Sequence, residues 1–101
     1  MAGSDELPGR QRLDKWLWFA WVVKTRDDAA GLVESGHVRL NGQKTLKPGH
    51  GVRPGDVLTI VLNARVRVLH VTELAERRGP AEAAQRLYRE PGMSAPGQKT
   101  P

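Results

Sequence analysis

Lys24, Thr25 and Arg26 lie together in the chain, and His37 and Arg39 follow at alternate positions one short helix later. Ammonium and guanidinium groups placed beside helical N–H groups hold phosphate, since charge and backbone dipole act in the same direction there. Arg12, Lys15 and Lys47 add three more cations in the same half of the chain. The chemistry on offer is the gripping of a polyanion. Nothing comparable points to catalysis. The chain has no Walker-type glycine loop and no Gly-x-Ser-x-Gly elbow. His37, His50 and His70 lack the spacing of a metal or acid–base site, and there is no cysteine to supply a thiolate. Glu73, Glu76 and Glu82 have no evident partner for proton transfer. No enzymatic activity, no cofactor and no metal are expected.

The elements that must aim these cations are written between Lys24 and Gly42, KTRDDAAGLVESGHVRLNG. Thr25 is the expected N-cap of a helix, with Asp28 three residues on completing a capping box. Asp27 and Asp28 suit the positive end of the helix dipole. Ala29, Leu32 and Val33 recur at helical spacing and form the buried stripe. Gly36 stands where a left-handed C-cap is expected. Val38 and Leu40 then alternate with His37 and Arg39, as in a half-buried strand. Asn41-Gly42 supplies the positive φ angles of a two-residue hairpin turn.

Charge placement strengthens the polyanion reading. Between residues 10 and 53 nine basic residues (Arg10, Arg12, Lys15, Lys24, Arg26, Arg39, Lys44, Lys47, Arg53) face four acidic ones (Asp14, Asp27, Asp28, Glu34). The whole chain carries +5, so the excess lies entirely in this half. Charge alone does not separate RNA from DNA. The longest apolar run, Trp16 to Val23, is far too short to span a membrane, and the N-terminus lacks the apolar core of a secretory signal. A cytoplasmic monomer without membrane contact is the expectation.

The fold class read from periodicity is α+β. Residues 1–11 read as a flexible lead, ending at Pro8-Gly9. A first helix is expected over 14–23, with Asp14 as N-cap and a Leu13–Trp18 staple. It joins the second helix at a Lys24-Thr25 corner, giving a two-helix hairpin. Residues 43–56 read as an irregular loop closed by the turn Pro54-Gly55-Asp56. Val57–Leu62 and Arg65–Val71 read as an antiparallel pair around Asn63-Ala64, joined in one sheet by Val38–Leu40. Gly79-Pro80 opens a C-terminal helix with an apolar face of Ala83, Ala84, Leu87 and Tyr88, ended by Pro91. Residues 91–101 have nothing to bury and are expected to be disordered.

Each candidate has an ordinary reading beside it. The cations form a solvated face in many small basic domains that bind nothing specific. Trp16, Trp18 and Trp21 either stack on bases or pack in the core, and the apolar run around them favours packing for at least two. His37 is either a phosphate contact or an exposed strand residue, and Asp14 is a cap before it is an acid.

Several stretches together carry a family resemblance. RLDKWLW at 12–18, KTR at 24–26, the A-x-x-L-V-x-x-G-x-V-x-L-N-G pattern from Ala29 to Gly42, and PGD at 54–56 resemble the S4 RNA-binding domain. ELAERRGPAEAAQRLY, residues 73–88, resembles the extension of the heat shock protein 15 family. The resemblance covers residues 12–89. It implies an S4-type domain over 12–72, a two-helix hairpin packed on a small antiparallel sheet, and a helical extension over 73–90. It implies a cytoplasmic protein that binds ribosomal RNA of the large subunit. Peptidyl-tRNA is a second candidate partner, since the family acts on dissociated large subunits that still carry a nascent chain on tRNA, in rescue or recycling after stress. The RNA-binding set it supports is Arg12, Lys15, Lys24, Thr25, Arg26, His37, Arg39 and Lys47.

Two features depart from the family. Trp21 stands where the first helix usually has an arginine, so a phosphate contact from that position is not carried over. Some members continue into a long basic tail, whereas this sequence ends in PGQKTP: either affinity and target choice from such a tail are missing, or the sequence is a trimmed piece of a longer chain. Other classes remain open from residues alone: an accessory module of an RNA-modifying enzyme such as a pseudouridine synthase, or a protein-interaction module using the tryptophan helix.

Overall fold

The computed structural model describes residues 9–91. The flexible lead and disordered tail expected at the two ends lie, for residues 1–8 and 92–101, outside the described residues. The chain runs β1 (Gln11–Arg12), α1 (Leu13–Phe19), α2 (Arg26–Glu34), β2 (Val38–Leu40), β3 (Gln43–Lys44), β4 (Gly51–Val52), β5 (Val57–Leu62), β6 (Arg65–Val71), α3 (Ala81–Ala84), a 3₁₀ turn (Gln85–Leu87) and β7 (Tyr88–Arg89). The α+β hairpin-on-sheet architecture is present, with a larger sheet than the periodicity showed. Five strands pair antiparallel in the order β3-β2-β5-β6-β7, and β1 pairs separately with β4.

Both helices end by the same device. After α2, Gly36 takes φ +85°, its N–H reaches Val33 O and the next N–H, of His37, reaches Leu32 O. These are the two bonds of a Schellman motif, with glycine in the left-handed position. After α1 the equivalent bonds run from Trp21 to Leu17's neighbour Trp18 and from Val22 to Leu17, and the left-handed residue is Trp21 itself, at φ +61°. That stop ends α1 at Phe19, four residues before the expected end at Val23. Its start also differs. Arg12 occupies the N-cap without a side-chain bond, so Asp14 lies inside the first turn and is not the cap.

The helices cover one face of the sheet. Leu13, Trp16 and Leu17 from α1, Ala29 and Val33 from α2, and Val38, Leu58, Ile60 and Leu69 from the strands are fully buried together. The register β2–β5–β6 places Val38 opposite Ile60 and Leu58 opposite Leu69, which fixes the core side. Val66 and Val68 therefore face away from the helices, and Val66 keeps 65% of its surface exposed. Hairpin turns sit where the sequence placed them. Asn41-Gly42 and Asn63-Ala64 each have two consecutive positive φ angles. Asn41 also donates to Asp56 at 3.1 Å and accepts from Val57 N at 2.8 Å, tying the first turn to Pro54-Gly55-Asp56.

The segment after β6 braces α1. Trp16 Nε1 donates to Glu73 O at 3.0 Å, and Gln11 Nε2 to Ala75 O at 2.6 Å. Gln11 is thus buried in β1 rather than belonging to a flexible lead. The expected C-terminal helix is shorter than its apolar pattern suggested. It keeps Ala81–Ala84, passes into the 3₁₀ turn, and releases Tyr88 to pair with Val71 on the free edge of β6. Pairing an open edge satisfies backbone groups that another helical turn would leave unused. There Glu90 accepts two hydrogen bonds from Arg67, at 2.8 and 2.9 Å, and that hydrogen bonding raises the Arg67 guanidinium pKa above its ordinary range.

Candidate nucleic-acid interface

The site is built around a buried carboxylate. Asp14 is only 4% exposed, and its oxygens accept from Arg12 Nε and Nη2, both at 3.0 Å, and from Lys15 N at 2.7 Å. Arg26, first residue of α2, brings Nη2 to 3.8 Å of the same carboxylate. One negative charge thus collects two guanidiniums, one from the end of β1 and one from the start of α2, and the excess is positive. Bidentate pairing fixes the plane of the Arg12 guanidinium. Arg26 keeps 42% of its side chain exposed while its Nη2 stays within 3.8 Å of the Asp14 carboxylate.

The loop after β3 continues this group toward the sheet. Thr45 N donates to Val38 O at one end, while Pro48 O and His50 O accept from Asp14 N and Leu13 N at 2.9 Å at the other. Lys47 lies exposed between those anchors. The same bonds satisfy the first N–H groups of α1, so that helix end is not an anion site. At α2, by contrast, Thr25 Oγ1 accepts from Asp28 N at 3.0 Å as the capping argument requires, which occupies the acceptor side of the Thr25 hydroxyl.

Arg39 lies on β2 in direct register with Lys44 on one side and Thr59 on the other. Lys44 was not among the candidates, though the two-residue turn at Asn41-Gly42 already paired it with Arg39. Its side chain lies across Gly36, within 3.6–3.7 Å of where a Cβ would stand. His37 is held by Ser35, whose Oγ donates to Leu32 O and lies 2.6 Å from His37 Nδ1. Among the described residues no ion pair involves Lys24, Arg39, Lys44 or Lys47.

The predicted residues therefore fall into two groups joined by a loop. Lys24, Thr25, Arg26 and Arg12 gather at the N-terminal end of α2. His37, Arg39 and Lys44 gather past its C-terminal end, about 12 Å away along the helix axis. Lys47 links them. Lys15 joins neither, and lines a cleft with Arg10, Gln11 and Leu74 on the side of the C-terminal extension. The tryptophans also part company. Trp16 is fully buried, Trp18 half-buried, and Trp21 is 41% exposed, so α1 cannot present a three-tryptophan docking face.

Comparison with known proteins fits this geometry. The S4 domain family model matches residues 11–58, from β1 into β5, and the fold and its basic belt define an S4-domain protein. The heat shock protein 15 homolog of Aeromonas salmonicida is 39% identical over 90 residues, 89% of this chain and 67% of that protein. Heat shock protein 15 of Escherichia coli (strain K12) is 41% identical over 83 residues, 82% of this chain and 62% of that protein. The structure described as trimeric Vibrio cholerae heat shock protein 15 matches with a TM-score of 0.77 at 38% identity, covering 82% of this chain and 83% of that one. The chain belongs to the heat shock protein 15 family. It spans only 62–67% of the length of these two curated relatives.

Proposed function

We propose that the chain is a non-catalytic RNA-binding protein of the heat shock protein 15 type. Its target is folded ribosomal RNA of the large subunit, with peptidyl-tRNA as a second contact, and its task is the rescue or recycling of stalled subunits carrying nascent-chain tRNA. In this reading residues 12–72 bind RNA and residues 73–90 brace them. The observation that carries it is the Arg12–Asp14–Arg26 cluster, continued by Lys47 to Arg39 and Lys44. A carboxylate that spends its charge in orienting two arginines, with exposed cations on either side, suits a bent phosphate backbone.

Cytoplasmic location and a monomeric state belong to the same proposal. No described helix is long and apolar enough to cross a membrane. The Vibrio cholerae relative is described as trimeric, so sedimentation equilibrium of the isolated chain decides the oligomeric state. For function, the test is co-sedimentation with vacant large subunits, intact ribosomes and large subunits loaded with peptidyl-tRNA. Binding to large subunits, strongest on the loaded ones, is expected. Failure to sediment with any particle at low salt overturns the reading.

A further inference from the structure

Trp21 is held in a way that packing alone does not require. Its backbone adopts φ +61°, where a residue with a Cβ is disfavoured by roughly 1–2 kcal/mol and glycine would fit freely. Its indole N–H donates to Gly79 O at 2.8 Å. The Arg78 guanidinium lies over one face of the ring, 3.6 Å from its centroid, and over the Trp18 ring at 5.3 Å. Arg78 is itself pinned, donating from Nε to Trp18 O at 3.0 Å and from Nη2 to Val23 O at 3.2 Å. One face and the polar edge of Trp21 are thus occupied, yet the residue keeps 41% of its surface exposed. With one face under Arg78 and the N–H edge on Gly79, the geometry points to the opposite face of the ring as the open surface.

We propose that this plane is a stacking site for an unpaired nucleobase, taken up beside the folded RNA that the basic belt holds; the inference rests on the RNA-binding reading above. A cation on the covered face draws indole π-density toward itself, which lowers repulsion against a base stacked on the free face. Lys24, three residues on and exposed, supplies a phosphate partner for the nucleotide whose base stacks. Exposed Arg77, next to Arg78, adds to the positive surroundings. Such a site tolerates any base, because stacking uses the π-face and not the Watson–Crick edge. It therefore adds preference for single-stranded flanks without adding sequence specificity.

The test uses the full chain and RNA hairpins carrying a short overhang at either end, made of adenosines or of abasic nucleotides. The two overhangs have the same phosphates, so the belt meets the same charge in both. The adenosine form is expected to bind about tenfold tighter to the parent protein. In Trp21→Leu that difference vanishes while affinity for the abasic form is retained, and Trp21→Phe keeps part of it. Tryptophan fluorescence of the parent should be quenched by the adenosine overhang and not by the abasic one, a readout that stands if Trp21→Leu fails to fold. Equal affinity of the parent for both RNAs, without quenching, overturns the stacking site and leaves the phosphate belt intact. Binding to neither RNA overturns both.

Discussion

Asp14 receives the Arg12 guanidinium through two hydrogen bonds of 3.0 Å while almost wholly buried itself. The buried carboxylate thereby fixes the plane of a partly exposed guanidinium. Asp14→Asn keeps the shape and removes the charge that two arginines share. We expect a loss of about 1–3 kcal/mol in stability, held to the low end of buried pairs because Arg12 is 30% exposed. RNA affinity falls as well, since a misplaced Arg12 outweighs the screened gain of one positive charge. Urea unfolding and filter binding on one preparation check both; an unchanged midpoint rejects the role assigned to Asp14.

Arg26 stands at the first turn of α2, where guanidinium and helix dipole both favour phosphate. Arg26→Ala should weaken binding to folded rRNA by about 1–3 kcal/mol, the range of a charge-assisted hydrogen bond. Because Arg26 is partly exposed and its contact to Asp14 is long, stability should change little. A folded variant that binds as tightly as the parent removes Arg26 from the site.

Arg78 ties the C-terminal extension to α1 and the turn after it through two carbonyls, of Trp18 and Val23, and two tryptophan rings, Trp18 and Trp21. Arg78→Ala should lower stability by about 2–4 kcal/mol, combining charged hydrogen bonds with cation–π contact. Arg78→Lys should recover little of this, because an ammonium cannot fork between two acceptors and lie flat on indole. Thermal unfolding of the two variants against the parent decides, and full rescue by lysine contradicts the planar-stack account.

That contact also shows where local reading stops. The cap at Thr25, the stop at Gly36 and the turn at Asn41-Gly42 depend on neighbours within a few residues, so their chemistry is visible in the sequence. The end of α1 is not, because a tryptophan holds the left-handed position and its partners Arg78 and Gly79 come from the far end of the fold. Tyr88 likewise reads as helical until β6 offers a free edge. In the basic surface, the cation types were legible while their grouping was not. Asp14 changed from cap to organiser because the N-cap is Arg12, two residues earlier than its polar signal suggested, and Lys44 joins Arg39 through the register that the Asn41-Gly42 turn sets.

His37, just before β2, is exposed, and its Nδ1 lies 2.6 Å from Ser35 Oγ. His37→Ala should weaken binding to folded RNA by about 0.5–1.5 kcal/mol, the net range of one hydrogen bond, with little change in stability at so exposed a position. Filter binding and urea unfolding of parent and variant test this, and an unchanged affinity excludes His37 from phosphate contact.

Binding should be led by phosphate, and salt measures how many phosphates take part. Arg12, Arg26, Lys24, Lys47, Arg39 and Lys44 make the belt, and Asp14 cancels about one of their charges. Four to six contacts, at a slope near −0.7 to −0.9 each, give a log affinity against log salt slope of roughly −3 to −5. The open sheet face carries Val66 and Val68 where a sequence-reading sheet would carry aromatics, so base-edge readout has no platform there. Selectivity should instead follow the shape of the RNA, because the two cation groups are fixed about a helix length apart by α2 and the loop holding Lys47. A folded rRNA fragment and a variant with swapped bases but the same fold should bind within a few-fold of each other, while an unfolded scrambled strand binds weakly. A flat salt response would remove the belt as the source of affinity. A large loss on swapping bases, with the fold preserved, would show that base edges are read and that phosphate does not lead.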